Sequence, residues 1–409
     1  MKQIKQYTLL LLALVALPLS IAAQDSKEDM FNPVNASVTS LTIAPDARGG
    51  GMGDIGAATE ADINSQYWNP AKYPFNIARA GVSASYTPWL RKLVSDINLA
   101  NVTGFYRMGD YSAIHGSLRF FSLGEVFLSD QSGGISDMTI KPYEMAIDLG
   151  YSRMLTETFS MAVNMRFILS DIKYDYTSES SSGKAFGADI AMYRLGYFMM
   201  GPRECSFAWG INISNIGSKI VFGGDDRAEF IPTNLRVGIN WTVPVNEYNK
   251  FSISADANKL LVPTWPRYKK GDIENGQLVD DSKIGTPIPD NSPLAYERYY
   301  NVSSIGGIFK SFGDAPGGFK EEMQEIQWSI GAEYTYNDRF MLRAGYHDEA
   351  ANKGNRKYFT VGAGFHMSVF TVDAAYVFST SQTNPLDQTM RFTLGFDLDG
   401  MKDLFGRRR

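Results

Sequence analysis

From Arg79 onward, apolar and polar residues alternate with a period of two in one short segment after another. Tyr143, Met145, Ile147, Leu149 and Tyr151 are apolar, with Glu144, Asp148 and Ser152 between them. Phe207, Trp209, Ile211 and Ile213 alternate with Ala208, Gly210, Asn212 and Ser214. Side chains along a strand point to opposite faces, so each segment reads as a strand with one apolar and one polar face. Fourteen strands are predicted: 79–87, 97–109, 111–128, 141–155, 158–176, 184–199, 204–222, 234–244, 250–262, 326–336, 339–348, 357–368, 369–380 and 388–398. The pattern predicts an all-β fold over 79–398: a 14-stranded antiparallel outer-membrane β-barrel with lipid outside and a polar lumen inside.

The connections alternate in length. Short ones fall at 108–110, 155–157, 201–203, 245–249, 336–338 and near 368; longer ones at 88–96, 129–140, 177–183, 223–233, 263–325, 349–356 and 381–387. Outer-membrane barrels have short periplasmic turns and longer outer loops. The expected site is therefore the bacterial outer membrane, with both termini periplasmic, including a tail 399–409 that ends in Arg407-Arg408-Arg409. The connection 263–325 far exceeds what a hairpin needs, and such loops are usually functional or disordered. Helix is expected near 319–325. Its aromatic and apolar residues beside charges make Trp265, Tyr268, Ile308, Phe309 and Phe312 candidate contacts for a protein partner. A lid packed on its own barrel fits the same residues.

The chain before the strands does not alternate. Residues 1–23 read as an export signal: Lys2 and Lys5, an apolar run from Thr8 to Leu19, then Ile21-Ala22-Ala23 before Gln24. Residues 24–78 are expected to be a periplasmic lead and a hatch. Within them, 41–72 is rich in small residues and ends in Tyr67-Trp68-Asn69-Pro70-Ala71. It is expected to fold inside the barrel, with Gly51, Gly53, Trp68, Asn69 and Pro70 as its key residues. Gly51-Met52-Gly53-Asp54-Ile55-Gly56 has the G-x-G-x-x-G spacing, but a dinucleotide site needs a strand–turn–helix around it. Glycines that permit tight packing explain the run better.

Composition narrows the function. The formal charge is −5 and becomes about −7 once Lys2 and Lys5 leave with the signal, which argues against nucleic-acid binding. The single Cys205 excludes an intramolecular disulfide. Aromatics make up 13%, with 22 Tyr and 25 Phe, as suits a barrel with aromatic girdles. The three histidines, His115, His347 and His366, lack metal-site spacing. His115 has Ser112 and Ser117 nearby, but no nucleophile elbow accompanies them. No catalytic, cofactor or metal residue is therefore predicted, and the chain is not expected to be an enzyme. Arg107, Asp148, Arg166, Asp189, Arg194 and Glu333 are expected to face the lumen, because an Arg facing lipid at the midplane costs roughly 2–4 kcal/mol.

Asp46-Ala47-Arg48, Gly51-Met52-Gly53, Ala57-Ala58 and Trp68-Asn69-Pro70-Ala71 resemble the N-terminal hatch of FadL-type barrels. With Ile213-Ser214-Asn215-Ile216-Gly217 and the run from Phe230 to Gly238, nearly the whole chain past the leader resembles the PorV (LptO) family of FadL-like type IX secretion proteins in Bacteroidetes. The resemblance implies a shuttle that binds the C-terminal signal domain of cargo leaving the translocon and delivers it to the surface attachment (sortase) complex. The implied partners are that cargo, the giant translocon barrel (SprA or Sov), and PorU, PorQ and PorZ, within outer-membrane lipid. Two other readings stay open. A FadL-like transporter of hydrophobic molecules implies a greasy pocket lined by Met52, Ile55, Tyr67 and Trp68. A lipopolysaccharide acyl hydrolase implies a reactive serine.

Overall fold

The computed structural model describes residues 31–91, 94, 96–129, 135–172, 182–223, 227–274, 276–367, 369–379 and 386–398. The export signal, the charged stretch 25–29, the tail 399–409 and most of 177–183 and 381–387 lie outside the described residues. Fourteen strands form a closed antiparallel barrel. In chain order they are β1 (Ala80–Pro88), β2 (Asn98–Arg107), β3 (Ser112–Ser122), β4 (Tyr143–Thr156), β5 (Phe159–Asp171), β6 (Gly183–Met200) and β7 (Arg203–Gly217). The second half is β8 (Asn234–Asn246), β9 (Asn249–Leu260), β10 (Gln327–Tyr336), β11 (Phe340–Asp348), β12 (Tyr358–His366), β13 (Phe370–Ser379) and β14 (Met390–Asp397). Each strand pairs with its neighbour in sequence, and β1 pairs with β14, Val82 opposite Phe396. Closure satisfies every strand edge, which a bilayer requires because it offers no water to unpaired amides. No described helix is long and apolar enough to cross a membrane.

Alternation sorts the side chains as expected. Leu149, Met165 and Phe186 lie 70%, 71% and 65% exposed on the outer face, while Asp148, Arg166, Asp189 and Glu333 are buried inside. Arg107 is half-buried and donates to the Asn76 carbonyl at 2.7 Å. Arg194 corrects the expectation: it is exposed, on the same strand face as Ile190. It stands opposite Phe159, the first residue of β5, so it lies towards a rim and away from the costly midplane.

Three strands are shorter than predicted. β3 stops at Ser122, and Val126–Ser129 instead pairs with Ile135–Ile140 as a separate hairpin. β5 ends at Asp171. β7 ends at Gly217, just past Asn215, whose left-handed φ of 60° breaks the regular ladder with β6. The alternation of short and long connections holds. In the short turn after β10, Asn337 and Asp338 have φ of 53° and 52°, the two successive positive values of a type I′ hairpin.

The stretch before β1 runs through the lumen from one rim to the other. The Asn32 amide donates to the Asn352 carbonyl at 2.8 Å, and the Ser37 amide to Phe230 at 2.8 Å. The Tyr299 hydroxyl donates to Asn35 at 3.3 Å. All three partners belong to long connections. Val38 and Leu41 then pack with Ala146, Ile168, Ala185 and Ile220 of the wall and its long connections. Phe75 reaches Tyr193, and β1 begins at Ala80 on the short-turn rim. Residues 32–37 thus occupy the rim of the long connections, whereas β14 ends on the short-turn rim, where the Asp397 amide donates to Val369. The expectation that the lead shares the short-turn side is corrected for these residues: their hydrogen-bond partners stand at the other rim.

Candidate functional site

The chemistry of the inner segment starts from Asp46. Its carboxylate caps the helical turn Ala47–Gly50 by accepting the Gly49 amide at 2.9 Å, and it also accepts the Trp68 indole N–H at 2.5 Å. Gly49 and Gly56 lie so close to the Trp68 ring that a Cβ on either would collide with it. Gly53, with φ +81°, backs onto the Tyr346 main chain and donates to the Thr360 hydroxyl at 2.8 Å. Gly51 sits against Gly362 of β12 in the same way. The glycine run therefore brings backbone against the wall, in agreement with the packing explanation.

Asn69 accepts the Ala71 amide at 3.0 Å and donates to Ala57 at 2.9 Å and to Met192 of β6 at 2.8 Å. Pro70 opens the 3₁₀ turn Pro70–Phe75, where its missing N–H costs nothing. Lys72 is buried and donates to the Gly56 carbonyl at 2.8 Å and the Thr59 hydroxyl at 3.0 Å. All of Gly51, Gly53, Trp68, Asn69 and Pro70 are buried.

The wall answers with charge. Arg48 binds Glu333 and also Asp62, the latter at 3.0 Å. Glu333 also takes Arg343 at 2.6 Å, which binds Asp373 at 2.5 Å. Asp54 holds Arg391 at 2.6 Å and accepts the Tyr358 hydroxyl at 2.6 Å. The Asp256 carboxylate accepts the Gly56 and Ala57 amides at 2.9 and 3.0 Å. Such groups are buried only because each has a partner; losing one partner of a buried pair costs about 3–5 kcal/mol.

The long connection is a folded cap. Tyr268, Val279, Ile288, Leu294 and Ala295 form its small core, with Trp265 and Tyr300 packed on it. Trp265 donates to the Ile288 carbonyl at 2.9 Å, and Arg298 grips Asp272 through two bonds of 2.8 and 2.7 Å. The expected helix exists at Phe319–Gln324. It is clamped to the rim: Lys259 of β9 binds Glu322 at 3.1 Å and also Glu325, and Lys353 binds Glu321 at 2.6 Å and Glu325 at 3.0 Å. Asn32 donates to the same Glu321 at 2.9 Å.

Of the five candidate contact residues, Tyr268 is buried and Trp265 and Ile308 are half-buried. Phe309 and Phe312 are 75% and 53% exposed. Sequence reasoning missed Ile305, Phe319 and Met323, which are exposed as well. Ile305 and Phe309, like Phe319 and Met323, stand four apart on short helices, a spacing that marks one helix face.

A lumenal cavity of about 210 Å³ lies between the inner segment, the wall and the long-connection rim. Of Met52, Ile55, Tyr67 and Trp68, only Tyr67 lines it. Asp54, Arg166, Arg236, His347 and Arg356 line it too, so it is not the greasy pocket expected of a hydrophobic-ligand path. His115 is held by Gln66 at 2.5 Å and Ser117 by Asp148 at 2.6 Å, so those two residues do not pair. Ser329 meets His347 at 2.9 Å, but no described carboxylate hydrogen-bonds that imidazole. No described group of three or more His, Cys, Asp or Glu could hold a metal.

These features define an outer-membrane β-barrel whose lumenal side chains are engaged by the chain's own segment before β1. A family profile described as "Type IX secretion system protein PorV" matches residues 25–267, and the chain belongs to that family. It is a family of secretion proteins, not of enzymes. Among solved structures, the chain is similar to the Pseudomonas putida toluene transporter TodX, with 10% identity and a TM-score of 0.48 over 90% of this chain and 99% of that one. It is also similar to a Pseudomonas aeruginosa FadL homologue, with 12% identity and a TM-score of 0.41 over 86% and 98%. Comparison with curated proteins finds no match.

Proposed function

We propose that this protein is a cargo shuttle of type IX secretion. It binds the C-terminal signal domain of proteins leaving the translocon and delivers them to the surface attachment complex. The giant translocon barrel (SprA or Sov) and PorU, PorQ and PorZ are its partners in this reading. The long-connection rim faces outward, the short-turn rim faces the periplasm, and residues 38–76 act as the hatch. Family membership supports the secretion role. The observation that carries the docking step is the folded cap, which is clamped to the rim yet leaves Phe309 and Phe312 exposed.

The test is affinity purification in mild detergent from the native outer membrane, followed by mass spectrometry. Recovery of a giant barrel, or of exported proteins sharing one C-terminal domain, is expected. Recovery of this barrel alone with bound fatty acid or hydrocarbon overturns the shuttle in favour of transport.

A further inference from the structure

The lumenal cavity is lined by a cation with one unused donor. Arg236 of β8 is 8% exposed and lines the cavity. Its guanidinium stacks over Trp68 at 4.5 Å and Tyr67 at 5.0 Å, and its Nε donates to Asn258 of β9 at 2.8 Å. These contacts hold the head in place, but Nη1 has no hydrogen-bond partner. The other cations on the cavity are neutralised: Arg166 by Asp148 at 2.6 Å and Asp189 at 3.0 Å, and Arg356 by Glu349 at 2.8 Å. Asp54, the acid on the cavity, is taken by Arg391. Asp256 of β9, diagonal to Arg236 and off the cavity, offsets part of the Arg236 charge through space but makes no hydrogen bond to it; one of its oxygens is committed to the Gly56 and Ala57 amides.

Directly across the β7–β8 ladder, Asn212 faces Arg236. Asn212 donates its amide to the Trp68 carbonyl at 3.1 Å and also lines the cavity, leaving its Oδ1 without a donor. A fixed cationic donor and an orphan acceptor thus sit side by side on one wall. A buried charged donor left unmade is costly, and a ligand that satisfies both groups recovers that cost.

We propose that this cavity binds a small hydroxylated carboxylate, such as a hydroxy acid or sugar acid. The carboxylate accepts from Arg236 Nη1 and a hydroxyl donates to Asn212 Oδ1. The cavity far exceeds the volume a single water needs, and its lining suits a polar molecule over an alkyl chain.

The test is titration calorimetry of the full-length protein in detergent with sodium gluconate, sodium hexanoate and glucose. Gluconate is expected to bind saturably, hexanoate at least tenfold more weakly, and glucose without measurable heat. Arg236→Gln removes the charge and is expected to weaken gluconate at least tenfold. Asn212→Ala is expected to weaken gluconate while leaving hexanoate unchanged. Heat-modifiable gel migration reports that each variant keeps its barrel; if Arg236→Gln loses it, Arg236→Lys and Asn212→Ala carry the test. Absence of saturable gluconate binding, equal binding of hexanoate, or unchanged binding in the variants overturns the proposal and leaves the cavity a water pocket.

Discussion

Arg48 of the inner segment and Glu333 of β10 meet through two hydrogen bonds, Nε to Oε2 at 3.2 Å and Nη2 to Oε1 at 3.0 Å. The same carboxylate takes Arg343, so one acid ties the segment before β1 to the wall and balances two buried cations. Glu333→Leu removes that balance. It is expected to destabilise the folded barrel by about 3–5 kcal/mol, read as a lower urea midpoint in detergent. An unchanged midpoint would show that the pair holds nothing together.

Trp68 is 2% exposed, with Gly49 and Gly56 beneath its ring and Asp46 on its indole nitrogen. The glycines have no side chains that could fill the space left by truncation. Trp68→Ala is therefore expected to cost about 3–5 kcal/mol. Asp46→Ala, which removes the cap on Gly49, should cost about 0.5–2 kcal/mol. Amide exchange across 41–76 should rise in both variants, more in the first.

Docking of the cap should depend on pH. Burial pushes the Asp314 carboxyl up to about 6; the Thr264 amide opposes this, Glu325 and Glu322 add to it, and Lys310 offsets part. A raised acid binds its proton more tightly in the docked cap, so docking strengthens as pH falls from above 6 towards the ordinary 3.8. Glu321 acts in the opposite sense. Burial raises its carboxyl, but hydrogen bonds from Lys353 and Asn32 and the Gly317 amide hold it below the ordinary 4.5, so its contribution fades once pH drops below that value. Protease resistance of 263–325 is therefore expected to be greatest between about 4.5 and 6. Asp314→Asn should abolish the rise between pH 7 and 5; persistence of that rise in the variant would assign it to another group.

Phe309 and Phe312 are exposed, so replacing both with Ser should change barrel stability by no more than about 0.5 kcal/mol. In the shuttle reading, the same double variant should recover at least tenfold less cargo on affinity purification. Full recovery of cargo would move the docking site off this part of the cap.

The barrel was legible in the chain because strand alternation is local: Leu149 and Asp148 differ in polarity, and the pleat sends them to opposite faces. Asn337-Asp338 marked its turn for the same local reason. Strand ends were less legible, since Val126-Phe127-Leu128 reads as a continuation of β3 but finds a separate partner in 135–140. Arg194 misled because a two-residue period assigns a face only when counted from a fixed register, and its height relative to the rim depends on neighbouring strands.

Other features existed only after closure. Trp265 and Tyr268 look like exposed contacts in sequence, yet the cap folds back and uses them as its own core, leaving Phe319 and Met323 outside. Nothing local foretells that Arg48 meets Glu333 across 285 residues, or that residues 32–37 reach the rim of the long connections. The sequence determined the barrel, its strand number and the buried glycine-rich segment, because each rests on near-neighbour periodicity and steric size. The tertiary structure decided which charges are balanced, which aromatics remain free and where Arg236 keeps one donor unused. Those outcomes depend on which distant groups share the enclosed lumen, where an unpaired charge is expensive.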